Sequence, residues 1–400
     1  MSDLVPGEMA KFRKVEAEFR DCCTSWGYQE IRTPVVEYLH LFTSAGTLSP
    51  DMLGRVYSFL DWDGWSGERV VLRPDGTIPV ARLYVENYTD TPIVKLFYVE
   101  NMFAFEGTGE ESRECWQCGA ELIGGNRPEG DVELISLAKE AIERLGVGPV
   151  KIRLAHAGFL KTFLEGLGLS GEEEADVVDR IFSGDMDVLS NVKGRGPELE
   201  KQVQLLFGLK GDSAGFVENL RGVFASFPEL GPSLDELSRI ASLLTSLGFT
   251  YEIDFTSGRG FEYYTGIIFG FYSGKRRLCG GGRYDKLIPL VGGGDVCASG
   301  FAFYIEELTK LIKEPPYREK ILVKVRGTDN LKQYLESTRF LRDAGYIAEF
   351  DLGYRDTTGF RWTIDLLDEN TVELTDQVTG IKQQVSTHAE LLAAIGKATI

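Results

Sequence analysis

Near the start of the chain, Met9, Phe12, Val15, Phe19 and Trp26 recur close to helical spacing and Gly27 offers a stop. The spacing predicts an amphipathic helix over residues 9–26. The next stretch, Tyr28 to Glu37, reads as extended and is broken by Pro34. A residue without an N–H belongs at a sheet edge or an interface, where the missing donor costs least. Runs rich in aromatic and β-branched residues follow at 56–60, 69–72 and 93–105 and predict a mainly antiparallel sheet.

From residue 156 to 244 the pattern turns helical. Ser170-Gly171-Glu172-Glu173 has the form of a capping box, and Val178, Ile181 and Phe182 then share one face. This predicts a helical insertion over about 157–245, between strands of the sheet. Strands resume at 250–255, 263–271 and 278–282. Gly280-Gly281-Gly282 precedes Arg283-Tyr284-Asp285, and glycines in a strand usually mark close approach by backbone or ligand. A helix at 303–312 closes a main domain of residues 1–315, and Glu314-Pro315-Pro316-Tyr317 is the linker candidate. Residues 320–400 read as a small α/β domain. It has a strand at 321–325 and a helix at 330–344 with Leu331, Tyr334, Leu335, Thr338 and Leu341 inward. Gly345 ends that helix, and a strand at 346–350 and a terminal helix at 386–395 follow. The whole is α+β, without internal repeats.

Four hundred residues, 43% hydrophobic and 26% charged, suit two or three globular domains and exclude a disordered or fibrous chain. No apolar run approaches the ~18 residues of a membrane-spanning helix. Residues 1–6 lack the basic start of a secretory signal, so a cytoplasmic chain with no membrane partner is expected. The net charge of −18 disfavours a wrapped nucleic-acid partner. Six cysteines (Cys22, Cys23, Cys115, Cys118, Cys279, Cys297) then read as reduced thiols. Cys115-Trp116-Gln117-Cys118 lacks the two further ligands that zinc needs, and no second such spacing exists. It reads as two small residues in a strand, with no metal.

Four segments carry candidate chemistry. They are Leu72-Arg73-Pro74-Asp75-Gly76-Thr77; the stretch from Met102 through Ala104 and Gln117 to Glu121; Gly258 to Gly266 with Arg259, Tyr263 and Tyr264; and Gly280 to Asp285 followed by Gly300 to Leu308. In this order and at these separations they resemble the catalytic core of histidyl-tRNA synthetase, over roughly residues 8–313. The resemblance implies a class II synthetase-like fold: an antiparallel sheet flanked by helices, with the helical insertion and a small C-terminal α/β domain. It also implies a pocket for L-histidine. Asp75 and Thr77 would hold the α-ammonium, Arg259 with Gln117 the α-carboxylate, and Glu121 and Tyr264, beside Tyr263, the imidazole. These types suit that ligand, which needs an acceptor, a cation and an N–H partner. Asp75 stands where the synthetases usually carry Glu.

Other positions depart from the synthetase pattern. Ala104 and Glu307 occupy the places of two ATP-binding arginines, Tyr304 replaces a glycine, and the loop 107–112 is acidic where the family is basic. One such arginine is worth roughly 10³-fold in phosphoryl chemistry, and like charge repels a triphosphate. The resemblance therefore shifts to the regulatory subunits of ATP phosphoribosyltransferase, synthetase paralogues of the histidine pathway. That implies no catalytic residues of its own and no cofactor. The implied partners are L-histidine and a short-form catalytic subunit, which the chain would activate and make sensitive to histidine. A homodimer through residues 31–37 within a hetero-oligomer is implied too. The last domain is a shortened version of the synthetases' anticodon-binding domain, and tRNA is not expected as a partner. Two alternatives remain at this point: a divergent histidyl-tRNA synthetase, and a synthetase-like histidine or tRNA sensor for another effector.

Overall fold

A computed structural model gives the architecture for residues 3–44, 56–62, 67–103, 113–125, 128–166, 196–257, 264–313, 319–324, 331–353, 357–367 and 371–396. The capping box at 170–173, the linker at 314–317, the loop 107–112, and Ala104, Arg259 and Tyr263 lie outside the described residues. The chain divides into two units, Met1–Glu314 and Pro315–Ile400.

In the first unit the predicted opening helix is α1 (Pro6–Ser25), with Phe12, Val15 and Phe19 buried. Pro6 suits its first turn, where an N–H would have no partner, and Gly27 follows its end at φ +81°. Then come β1 (Gln29–Glu30), β2 (Val36–Tyr38), α2 (Leu39–Ser44), β3 (Ser58–Trp62), β4 (Gly67–Leu72) and α3 (Thr77–Asn87). Next are β5 (Val94–Phe103), β6 (Glu114–Ile123), α4 (Glu129–Arg144), β7 (Lys151–His156) and α5 (Ala157–Gly166). Helices α6 (Gly196–Gly208), α7 (Ala214–Val223) and α8 (Gly231–Ser246) surround the short β8 (Lys210–Gly211). The chain returns with β9 (Tyr251–Asp254), β10 (Ile267–Ser273), β11 (Arg276–Arg283), α9 (Leu287–Leu290), β12 (Ala298–Tyr304) and α10 (Ile305–Thr309).

Nine strands make one sheet in the order β1-β5-β6-β12-β11-β10-β7-β9-β8, antiparallel from β5 to β7. Its two faces differ in kind. Register aligns Phe97, Ala120, Phe301, Gly281 and Phe269 on one face, where Phe19 of α1 meets Phe97, Phe301 and Phe303 edge to face. The adjacent register positions, Tyr98, Gly119, Ala302, Gly280 and Gly270, lie on the other face, as does the row Glu121, Gly300, Gly282. Side chains alternate with a period of two, so a slip of one residue would exchange an aromatic face for a glycine face.

Some expectations need correction. The extended segment at 28–37 is two short strands in different sheets: β1 pairs with β5, and β2 joins β3 and β4 in a separate three-stranded sheet. Pro34 lies between them. Residues 298–304 are strand β12, so the helix expected at 303–312 shrinks to Ile305–Thr309. Alternation of Gly300 and Ala302 with Phe301 and Phe303 is a period-two signal that fits a strand between two glycine-bearing neighbours. Helices α3 and α4 add to the elements expected from the pattern.

The second unit has β13 (Lys320–Lys324), α11 (Leu331–Asp343), β14 (Ile347–Phe350), β15 (Trp362–Leu366), β16 (Val372–Asp376), β17 (Lys382–Val385) and α12 (His388–Gly396). Its strand order is β14-β13-β15-β16-β17. The inner stripe of α11 is Tyr334, Thr338 and Leu341, whereas Leu331 and Leu335 are about half exposed. A single i, i+4, i+7 stripe suffices to cover this small sheet.

The turn after β4, which leads into α3, hangs on a buried ion pair. Arg73 is 1% exposed and donates from Nη1 to Glu100 Oε2 and to Thr33 O at 2.9 Å, and from Nε to Asn101 O at 2.8 Å. Glu100 in turn accepts the N–H of Thr33 at 2.6 Å. Removing one member of such a pair strands the other charge and typically costs about 3–5 kcal/mol. Arg73→Met is expected to lower the unfolding free energy in urea by about that amount. Arg239→Met, which breaks only an exposed pair with Glu129, should cost under about 1 kcal/mol. Equal losses in the two variants would contradict the role given to Arg73.

Candidate functional site

The glycine face of the sheet and the turn into α3 bring together five of the candidate residues. Asp75 caps α3: its Oδ1 accepts the N–H of Ile78 at 2.9 Å. Burial raises its pKa, against the backbone N–H groups of residues 76–78 that lower it. Two residues on, Thr77 Oγ1 donates to Glu121 Oε1 at 2.9 Å, and the Tyr284 hydroxyl donates to the other carboxylate oxygen. Glu121 is 1% exposed. It lies flat over Gly300, where any Cβ would collide with its Oε2. Burial pushes its pKa up to about 8; the hydrogen bonds from Tyr284 and Thr77 oppose the rise and the nearby Asp75 adds to it.

Tyr264 covers Gly282, where a Cβ would stand 2.8 Å from its Cδ1. Burial raises its pKa; Arg277 lowers it, and Tyr304, Asp75 and Glu121 raise it further. Gln117 is half-buried on β6, in register with Tyr304 of β12 and Glu100 of β5. Tyr98 lies over Gly76 and Gly119, closing the side toward α3.

Among the positions set apart as departures, Glu307 is on α10, held below the usual carboxylate range. Partial burial would raise it, but Lys310 and Arg276 lower it, Arg276 from 2.7 Å. Tyr304 ends β12 half-buried, its pKa raised by burial and lowered by Arg277. Cys115 and Cys118 lie in a strand, as their sequence context predicts. Three positions apart on β6 they face opposite sides of the sheet, Cys118 buried with Phe19 and Cys115 against the cluster of α3. All six cysteines are free. Among the described residues no group of His, Cys, Asp and Glu is placed to hold a metal ion, and no helix is long and apolar enough to cross a membrane.

Three residues of the site were not singled out from the sequence. Tyr284 sits inside the Gly280–Asp285 run, and that context was its signal. Tyr98 is one of many aromatics in strands, and Arg277 follows another arginine with no motif around it; only the fold reveals either.

What the site can do follows from its groups. A buried carboxyl that holds a proton near neutral pH, flanked by two hydroxyls and a second carboxylate, suits a small ligand with N–H donors or a positive charge. The glycines beneath let the Glu121 carboxylate and the Tyr264 ring lie close against the sheet.

Comparison with known proteins points the same way. The family model for histidyl-tRNA synthetase matches residues 1–308. An ATP phosphoribosyltransferase regulatory subunit of Dehalococcoides mccartyi is 45% identical over 98% of this chain and 96% of its own length. A histidine–tRNA ligase of Methanococcus maripaludis is 32% identical over 94% of each chain. Among solved structures, an ATP phosphoribosyltransferase regulatory subunit/histidyl-tRNA synthetase from Bacillus halodurans superposes with a TM-score of 0.75 at 25% identity. It covers 91% of this chain and 96% of that one. A histidyl-tRNA synthetase from Nostoc shares the fold, with a TM-score of 0.78 at 20% identity over 99% of this chain and 97% of that one.

The raised pKa of Glu121 has a consequence for stability. In the unfolded chain the carboxyl titrates near its ordinary 4.5, in the folded chain near 8. Between those values the folded state binds the proton more tightly, so stability from this group falls as pH rises. Glu121→Gln, which cannot ionise, should melt higher than the wild type at pH 9 and within error of it at pH 4.5. Parallel pH profiles for the two proteins would show that burial does not penalise this carboxylate.

Proposed function

The chain belongs to the family of ATP phosphoribosyltransferase regulatory subunits, built on the histidyl-tRNA synthetase fold, and from that premise we propose that it is a histidine sensor with no chemistry of its own. It assembles with a short-form catalytic subunit in the cytoplasm, raises that subunit's activity, and conveys feedback inhibition by L-histidine. The observation that carries this reading is Glu121, buried over Gly300 and held by Thr77 and Tyr284. A neutral imidazole presents an N–H to such a carboxylate and displaces its proton, and Tyr264 supplies the neighbouring wall. Asp75 and Thr77 take the α-ammonium; Arg259, with Gln117, takes the α-carboxylate, and Tyr263 adjoins them.

Adenylation is lost in this reading. Glu307, already paired with Arg276 and Lys310, offers a triphosphate a carboxylate where a synthetase offers a cation. Ala104 supplies no charge at the other position, and tRNA is not a partner. Regulation requires histidine to bind one state of the complex more tightly than another, because a ligand shifts an equilibrium only through differential affinity. The complex is built on a homodimer of this chain through residues 31–37.

The test is ATP phosphoribosyltransferase activity of the same organism's short catalytic subunit, with and without this chain, across a histidine titration. The chain should raise activity and make it histidine-sensitive. Arg259→Ala should abolish the inhibition and leave assembly intact. A chain that neither co-elutes with the catalytic subunit nor alters its activity contradicts the reading, and histidine-dependent ATP–pyrophosphate exchange would favour a divergent synthetase.

A further inference from the structure

Three arginines lie on β11, and they are treated differently. Arg276 pairs with Glu307 at 2.7 Å, and Arg283 pairs with Asp131 at 2.7 Å and Asp285 at 3.2 Å. Arg277 has no carboxylate partner among the described residues. Its Nε is buried with no hydrogen-bond partner. The groups set about its charge are the hydroxyls of Tyr304, Tyr272 and Tyr264 and the thiol of Cys279.

Local structure explains how it comes to be there. Register shifts between Phe271 and Tyr272: Phe271 faces Cys279 while Tyr272 faces Arg277, which leaves Leu278 as the extra residue of a bulge. A bulge re-aims the side chain beside it. The Arg277 side chain lies back over Gly280, where a Cβ would collide with its Nη2. It therefore occupies the glycine face at Gly280, two residues along β11 from the Gly282 that Tyr264 covers and one strand across from the Gly300 that Glu121 covers.

A guanidinium left without a counter-charge in a partly desolvated place is costly to the fold. The cost is recovered when an anion arrives, and a planar fork of donors matches a carboxylate best. The glycine face and the turn beside it then hold the carboxyls of Asp75 and Glu121 and the cation of Arg277, with the ring of Tyr264 over Gly282. Those groups complement the two charges of a zwitterion. We propose that Arg277 binds the α-carboxylate of the ligand alongside Arg259, as a second cation that the family resemblance does not supply. This rests on the histidine reading of the pocket.

Calorimetric titration of the full chain tests it, with L-histidine and with histamine, which keeps the imidazole and ammonium and lacks the carboxylate. The wild type should prefer histidine by at least about tenfold, the scale of one charge-assisted contact. Arg277→Gln should lose at least about tenfold in histidine affinity and under about threefold in histamine affinity. Arg277→Lys, which keeps the charge without the fork, should fall between. Because the charge has no carboxylate partner among the described residues, Arg277→Gln should melt no lower than the wild type. An Arg277→Gln protein that keeps the wild-type preference overturns the proposal, and so does one that fails to fold, since the charge would then serve the fold. A wild type that binds no histidine refutes instead the reading of the pocket on which the proposal stands.

Discussion

Glycines stand where the central strands of the sheet would otherwise present side chains, and the candidate site residues lie flat on the sheet because of that. Gly119 makes room for Tyr98, Gly280 for Arg277, Gly282 for Tyr264 and Gly300 for Glu121. Each would be blocked by a single methyl group. The opposite face carries the phenylalanines that pack on α1, so one sheet packs aromatic rings on one side and polar and tyrosine side chains over glycines on the other. Strand alternation makes the two properties inseparable: the register that buries Phe301 and Phe303 also lays Gly300 beneath Glu121.

Electrostatics then divides the charged groups. Structural charges are cancelled in place, as in Arg73 with Glu100 and Arg283 with Asp131. Among the described residues, Glu121 and Arg277 on the glycine face have no ion-pair partner: burial raises the pKa of Glu121, and Arg277 keeps its charge. A buried carboxyl and a buried guanidinium without ion-pair partners on one face of a sheet are costly to the fold and mark the face as a candidate for binding a polar ligand. The position of Glu307 tells the complementary story, since its carboxylate is spent on Arg276 and Lys310 at the surface.

Much of this was legible in the sequence. The stripe of α1, the glycine run at 280–282 and the aromatic strands are strong local signals, and the ordered motifs around Asp75, Glu121 and Tyr264 mark residues that the fold places on the glycine face and the turn beside it. Other features were not legible, for physical reasons. Pro34 signals an edge but not that the chain passes from one sheet to another there. Residues 298–304 read as the approach to a helix because the alternation of small and large residues is short, and its meaning depends on glycines in neighbouring strands. Leu331 and Leu335 have the composition of an inner face, yet the small second sheet needs only one stripe. Arg277 reaches the glycine face through a bulge that no residue type announces.

Equilibrium dialysis of labelled L-histidine against the full chain and its Gly300→Ala variant addresses the central claim most directly. The added methyl group would occupy the space of the Glu121 carboxylate without touching the aromatic face. One histidine per wild-type chain and binding at least about tenfold weaker in a folded Gly300→Ala protein is the predicted result. Equal binding by the two proteins, or none by the wild type, would contradict it.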